Sequence, residues 1–361
     1  MKIIHCGDLH LDAKMETHFN VEQARERRYE ILGTFERMVE YGRANGVSLI
    51  LIAGDMFDTV ASSQRRIKDR VLEIITSHED IDFLYLQGNH DSDTYFKSLA
   101  ALPANLKLFD GHWTSYRYGD VVVSGVEFGK ETTPGIYDLL SLDHDMFNIV
   151  MLHGQVTSNR NSLESGMVNI PLLKDRGIDY LALGHLHDYH CESLDGRGVY
   201  CYCGALEGRG FDETGKKGFV VLDIADKQLD YQFVSLARRE FHIIPVALDG
   251  CLSTAQALDL VEQAIEKGEK DDCVRIILEG RVDENFDLDL DYLSHQLKDR
   301  FYFVELINRI RLDVDYRKFA NDISLKGEFI RTVEALDLDE PSKNKIIKMG
   351  LNALLHKEVI S

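Results

Sequence analysis

Short apolar runs that stop on glycine and a polar residue organise the first half of the chain. "MKIIHCGDLHLD" runs into Asp8 and His10, and "VSLILIAGDMFD" ends at Gly54, Asp55 and Asp58. "LYLQGNHDSD" ends at Gly88, Asn89, His90 and Asp91, "FNIVMLHG" at His153 and Gly154, and "IDYLALGHLHD" at Gly184, His185 and His187. Each run reads as a buried strand. Glycine lets the backbone turn sharply and approach a bound ion or phosphate. Open α/β sheets bind ligands outside the carboxyl ends of their strands. Five strands ending alike point to one site.

Between the first two runs, "NVEQARERRYEILGTFERMVEYGRANG" predicts a helix, with Asn20 and Gln23 as a capping box and Gly46 as the C-terminal cap. Ile31, Phe35, Met38 and Val39 recur at helical spacing. A strand over 47–53, a helix over 64–78 and a strand over 81–87 continue the alternation. That order predicts a parallel or mixed sheet covered by helices. From residue 105 the chain is β-rich, with a hairpin turn at Gly119-Asp120 in "SYRYGDVVVSGVEF". A helix near 171–176, a strand over 179–183 and strands in "GVYCYCGA", "GFVVLDI" and "LDYQFVSL" bring a first domain, 1–240, to its end.

The rhythm then changes. "FHIIPVAL", "CVRIILEGRV" and "FYFVELINRIRLDV" read as strands, with helices in "STAQALDLVEQAIEKG" and "DYLSHQLKD". They predict a small α/β domain over 241–315. Residues 316–361 hold two helices, around 322–335 and 341–356, with Pro341 near a helix start. The first carries Ile323, Leu325, Phe329, Ile330 and Val333, and Leu336 and Leu338 follow it. The second carries Ile346, Ile347, Leu351, Leu354 and Leu355, with Lys343, Lys345 and Lys348 nearby. Two such stripes bury each other or grip a partner.

Composition narrows the class. At 361 residues, 44% hydrophobic and 28% charged, the chain reads as a soluble globular protein of two or three domains. No apolar run reaches the roughly 18 residues of a membrane span, and the start has no signal-peptide core, so a cytoplasmic location is expected. The six cysteines form no CxxC pair; Cys201 and Cys203 read as reduced core thiols. A net charge of −20 argues against a freestanding nucleic-acid binder.

The candidate chemistry lies in Asp8, His10, Asp55, Asn89, His153, His185 and His187: two carboxylates, one amide and four imidazoles. Seven donors exceed one ion, whereas two ions sharing a bridging carboxylate fit them. The mixture suits manganese, iron or zinc better than calcium. Paired ions about 3.5–4 Å apart clamp the attacking and leaving oxygens of a phosphoryl displacement. On that reading His90 meets the substrate, protonating the leaving oxygen or stabilising charge in the transition state.

D-x-H, G-D-x-x-D, G-N-H-D, a lone H-G and G-H-x-H, in this order, resemble the calcineurin-like metallophosphoesterases over residues 1–240. The resemblance implies a two-sheet sandwich flanked by helices. It implies one ion on Asp8, His10 and His187 and the other on Asn89, His153 and His185, with Asp55 bridging. It also implies that His90 is the catalytic histidine and that Asp58 orients its imidazole. "GDLHLDA", "YCGALEGRGFDETGKKGFVVLDI" and the α/β segment after them resemble the SbcD-type subunits of bacterial DNA repair nucleases. Those carry a capping domain and a helical tail that grips an SbcC-like coiled-coil ATPase, which makes DNA ends and that ATPase the implied partners; a homodimer is left open.

Other charged groups are read more plainly. Arg25–Arg28 and Arg65–Arg70 are taken as solvated helix faces. Arg209, Lys216 and Lys217 are either phosphate contacts or solvated, and Asp12 either supports the site or caps a loop. Two divalent ions against Asp8 and Asp55 leave the centre locally cationic despite the acidic sum. The leading expectation is a manganese-dependent nuclease subunit. The alternative is a phosphatase or phosphodiesterase for a small phosphoester, and the third class, a non-catalytic scaffold, is disfavoured by retention of every donor and of His90.

Overall fold

The structure, a computed structural model, describes residues 1–15, 19–58, 65–89, 91, 95–129, 134–162, 166–266, 268–283, 286–313 and 322–354. The chain divides into two compact units, Met1–Glu240 and Phe241–Ser361.

The first unit carries strands β1 (Lys2–Cys6), β2 (Val47–Ala53), β3 (Asp82–Leu86), β4 (Leu106–Leu108), β5 (Thr114–Tyr118), β6 (Val121–Gly125) and β7 (Phe147–His153). They are followed by β8 (Gln155–Thr157), β9 (Met167–Asn169), β10 (Tyr180–Gly184), β11 (His190–Ser193), β12 (Val199–Tyr202), β13 (Gly218–Ala225) and β14 (Gln228–Ser235). Its helices are α1 (Val21–Ala44), α2 (Arg65–Thr76) and the single turn α3 (Ile170–Leu173). Two mixed six-stranded sheets form, in the orders β14-β13-β1-β2-β3-β4 and β11-β12-β10-β7-β6-β5. Within them β1 to β4 run parallel, as do β6, β7, β10 and β12.

Parallel strands buried on both faces read as near-continuous apolar runs, and β2 and β7 do so apart from Ser48, Asn148 and the terminal His153. Leu49, Leu51 and Ala53 share one core with Phe147, Ile149 and Met151, so these faces close the two sheets on each other. The opposite face of β7 and β10 (Val150, Leu152, Leu181, Leu183) is covered by Leu173 and Tyr137. On the other side α1 lies on β2 and buries Ile31, Phe35, Met38 and Val39. Both bonds of the expected capping box are present: Asn20 accepts from the Gln23 backbone, and Gln23 accepts from that of Asn20. The expected α/β two-sheet sandwich flanked by helices is therefore what forms. Among the described residues no helix is long and apolar enough to cross a membrane.

The two basic runs are not uniformly solvated. Arg27 is fully buried, bonded to Glu30, Glu207 and the Gly208 carbonyl. Lys68 is buried with its ammonium 5.3 Å from the centre of the Phe57 ring. Helical geometry explains both, since four consecutive positions cannot all face outward at 3.6 residues per turn.

In the second unit β15 (Phe241–Ala247), β16 (Cys273–Glu279) and β18 (Phe303–Asn308) form a parallel sheet in that order, with α4 (Thr254–Ala264) and α5 (Leu290–Leu297). Pro245 lies on the edge strand β15, the place in a sheet that tolerates a missing N–H. Two runs expected as continuous strands are each broken. Gly280 (φ +113°) separates β16 from β17 (Arg281–Asp283), and Arg309 and Ile310 separate β18 from β19 (Arg311–Asp313). The outer pieces pair with each other as a second parallel ribbon. A side chain at Gly280 would meet Asp249 at 2.7 Å, so the break needs glycine.

The last helices are α6 (Leu325–Glu334) and α7 (Glu340–Leu354). Ile330, Val333, Ile347 and Leu351 bury one another, flanked by Phe329 and Ile346. Half of the apolar set is thus used internally. Four others are not: Ile323 is fully exposed, and Leu325, Leu336 and Leu338 are exposed. The side chain of Leu354, and Leu355 entirely, lie outside the described residues.

Candidate metal centre

At the carboxyl ends of β1, β2 and β10 the chain leaves extended geometry within two residues. Asp8 (φ +48°), His10 (+43°), Asp55 (+51°) and His185 (+109°) all take positive φ. Such backbone costs a non-glycine residue on the order of 1–3 kcal/mol and persists only where its surroundings over-determine it. Here they do. The first two strand-end loops are joined by Asp8 N to Gly54 O (3.0 Å), His10 N to Asp55 O (2.9 Å) and Leu11 N to Met56 O (3.0 Å). The His185 N–H reaches across to both Asp8 carboxylate oxygens at 2.9 Å. Asp91 accepts from Phe57 N (2.9 Å), Gly88 N (2.8 Å) and Met56 N (3.3 Å), fastening the β3 loop to the β2 loop. Asp12 accepts from Asp58 N at 2.6 Å, so it holds the loop that carries Asp58.

The seven predicted donors come together in two groups. In the first, His10 Nε2 and His187 Nε2 lie 3.4 Å apart, and Asp8, His10 and His187 present ligand atoms within 4.8 Å of one another. Two nitrogens each about 2.1 Å from one ion show such a spacing, so this donor set fits a metal. In the second, Asn89 Oδ1 lies 2.9 Å from His153 Nε2 and 3.0 Å from His185 Nδ1. Asp55 Oδ2 stands between the groups, 3.3 Å from His153 Nε2 and 4.0 Å from His10 Nε2. Asp8, His10, Asp55 and His153 are buried, whereas His185 and His187 are half-buried and Asn89 is exposed, so the centre opens on the last three. His90 lies outside the described residues.

Burial lifts the Asp8 carboxyl to about 6, against the pull of His153 and His187. Burial also disfavours charge on His153, but the hydrogen bond and charge of Asp55, with Asp8 behind them, overcome it and raise that imidazole to about 9. Behind His187 stands Glu213, which sequence reasoning missed. Its Oε1 accepts from His187 Nδ1 at 2.7 Å and from Arg209 Nη2 at 2.6 Å. Burial works against the Glu213 charge, yet His187 and Arg209 hold its carboxyl well below the usual range. His187 is raised in turn: Glu213 outweighs the burial.

Asp58, expected to orient His90, is bonded among the described residues to a different imidazole. Its Oδ1 accepts from His10 Nδ1 at 2.5 Å, and its Oδ2 lies 3.6 Å from Arg209 Nη1. The basic loop also resolves: Lys216 is exposed, while Lys217 is buried, donating to the His187 carbonyl (3.1 Å) and to Asp188. Arg209 faces Glu213 and Asp58. Glu213 lies inside the segment that resembles SbcD-type subunits, but the sequence reading assigns it no donor role, because that role depends on a histidine 26 residues earlier.

Gly88 has no room for a side chain: a Cβ there would fall 2.1 Å from Asp55 Oδ1 and 2.7 Å from the His153 ring. Gly88→Ala is expected to cost about 1–3 kcal/mol of stability, as overpacking does, and to lower bound metal by displacing Asp55. Thermal melts and metal analysis of the purified variant measure both. Unchanged metal content would show that Asp55 is not held there for an ion.

A family model for calcineurin-like phosphoesterases matches residues 1–189. An uncharacterized metallophosphoesterase of Bacillus subtilis, YhaO, is 24% identical over 365 residues, spanning 95% of this chain and 88% of the relative. The DNA double-strand break repair protein Mre11 of Haloferax volcanii is 23% identical, spanning 98% of this chain and 75% of its own. Mre11 of Aeropyrum pernix is 26% identical over 68% of this chain and 63% of its own.

Proposed function

The chain belongs to the calcineurin-like phosphoesterase family, and from that premise we propose that it is the nuclease subunit of an SbcCD-like complex, cleaving phosphodiester bonds at DNA ends with two divalent ions. Metal-dependent phosphoester hydrolysis is the activity of the family, and the donor set fits it. The observation that carries the two-ion reading is the pair of donor groups meeting at Asp55. The DNA reading is supported by the Haloferax Mre11, whose similarity continues past residue 189 across the second unit.

Ions bound there would supply positive charge for phosphoryl oxygens and acidify water, manganese suiting the donor mixture, with iron or zinc as alternatives. Asp8, His10 and His187 would hold one, Asn89, His153 and His185 the other, and Asp55 would bridge. The remaining steps fall to the chain. His90, which follows the donor Asn89 in sequence, is the residue assigned to meet the substrate. His90 gives its proton to the leaving oxygen or, kept charged, stabilises the phosphoryl transition state. The SbcC-like ATPase would add the DNA grip that a chain of net charge −20 lacks.

Metal must compete with the proton on His153. With its pKa near 9, that imidazole is charged at pH 7 and must release its proton to become a ligand. Uptake at pH 7 is therefore expected to release at least one proton, and affinity to fall as pH drops below 9. Titration calorimetry in two buffers of different ionisation heat measures the release. Uptake with no proton exchange would remove His153 from the ligand set.

The acidic balance favours the second reading, a phosphatase or phosphodiesterase for a small phosphoester. One experiment separates them: the manganese-loaded protein, alone and with its ATPase partner, on linear duplex DNA and on bis-p-nitrophenyl phosphate. Cleavage of both substrates supports the nuclease. Hydrolysis of the small ester with DNA left intact, even beside the partner, would establish the second reading.

A further inference from the structure

The two halves of the centre are aimed by different devices. His153 is set by main chain, its Nδ1 donating to the Ala53 carbonyl at 2.8 Å. His10 and His187 are set by side chains, through Asp58 and Glu213 on their Nδ1 atoms. Those two carboxylates come from loops far apart in sequence, and Arg209 lies between them. Its guanidinium meets Glu213 Oε1 through Nη2 (2.6 Å) and through Nε (3.0 Å), and lies 3.6 Å from Asp58 Oδ2 through Nη1. The Arg209 backbone N–H also donates to Glu213 Oε2 at 2.8 Å. The contacts close a ring: His10, Asp58, Arg209, Glu213, His187, and back to His10 across the 3.4 Å gap between the two Nε2 atoms. The loop is anchored independently by Glu207, which accepts from Thr34 and Arg27 of α1.

We propose that Arg209 is a positioning residue for the His10–His187 half of the centre alone. By bridging Asp58 and Glu213 it holds both imidazoles with their Nε2 atoms converging, while the Asn89–His153–His185 half does not depend on it. The inference rests on the two-ion reading. Only a planar fork with several donors spans two carboxylates in this way; a lysine ammonium, a point charge on a flexible stem, does not. Outer partners of metal-ligating histidines commonly govern affinity by about 10–100-fold when removed.

The test is manganese titration of the full chain by calorimetry, with electron paramagnetic resonance of the bound ions, for wild type, Arg209→Ala, Arg209→Lys and Glu213→Gln. Arg209→Ala is expected to weaken one of two sites by about 10–100-fold and leave the other within about twofold, with loss of the spin-coupled pair signal at limiting metal. Arg209→Lys should recover only part of that affinity. Glu213→Gln keeps the side chain's size and should show the same one-site loss, so the inference stays testable if Arg209→Ala folds poorly. Equal weakening of both sites, or none, would overturn it while leaving the two-ion reading intact. A wild type that binds fewer than two ions would overturn both.

Discussion

His90→Ala is expected to lower turnover about 10²–10⁴-fold, the range for loss of a general acid, while both ions remain bound. The preceding residue, Asn89, is held against His153 and His185, and the following one, Asp91, takes three backbone N–H groups from two loops. Both neighbours of His90 are therefore fixed without it, and its removal leaves the donor set standing. Turnover of bis-p-nitrophenyl phosphate at saturating manganese, with metal content measured in parallel, checks the split. Loss of metal together with activity would make His90 a ligand. Asp58→Asn should behave differently. Because Asp58 is bonded to His10, its effect is expected in metal affinity, about 10–100-fold, with turnover largely recovered at high manganese.

Ile323→Asp with Leu325→Asp is expected to abolish capture of an SbcC-like ATPase without altering hydrolysis of the small ester. Ile323 just before α6 and Leu325 at its first position stand exposed and outside the buried cluster, so neither change opens that core. At a buried interface two such anchors commonly contribute about 2 kcal/mol or more each, and a carboxylate there adds a desolvation cost. Ile330→Asp is the contrast. That side chain is buried between α6 and α7, and the change should unfold the helical pair. Co-purification and helix content measured on both variants separate a docking surface from a core. Full capture by the first variant would remove the exposed stripe from the partner claim.

Much of the centre is legible along the chain because each donor sits within a few residues of the strand that carries it. An apolar run, a glycine and a ligand are local facts. They are repeated at Asp8, Asp55, Asn89, His153 and His185, and a sheet of parallel strands gathers its carboxyl ends on one edge. Helix α1 was legible for the same reason, its cap and its stripe both being local.

Its partners across the fold were not legible. Arg27 and Arg28 are adjacent and alike in sequence, yet Arg27 is buried between Glu30 and Glu207 while Arg28 donates to the Lys14 carbonyl near the surface. Arg209 read equally well as a phosphate contact or a solvated residue, and nothing local to Glu213 tied it to His187. The breaks after β16 and β18 were hidden because an apolar run does not reveal where its strand changes partner. Sequence alone determined that the donors stand at the ends of buried strands, since an apolar run, a glycine and a ligand are local; the two-sheet sandwich and the grouping of the donors were expected only from the family resemblance. Tertiary structure alone decided how His10 and His187 are aimed, because that depends on charges brought together from positions as far apart as Asp58 and Arg209, where only the closed chain sets the distance.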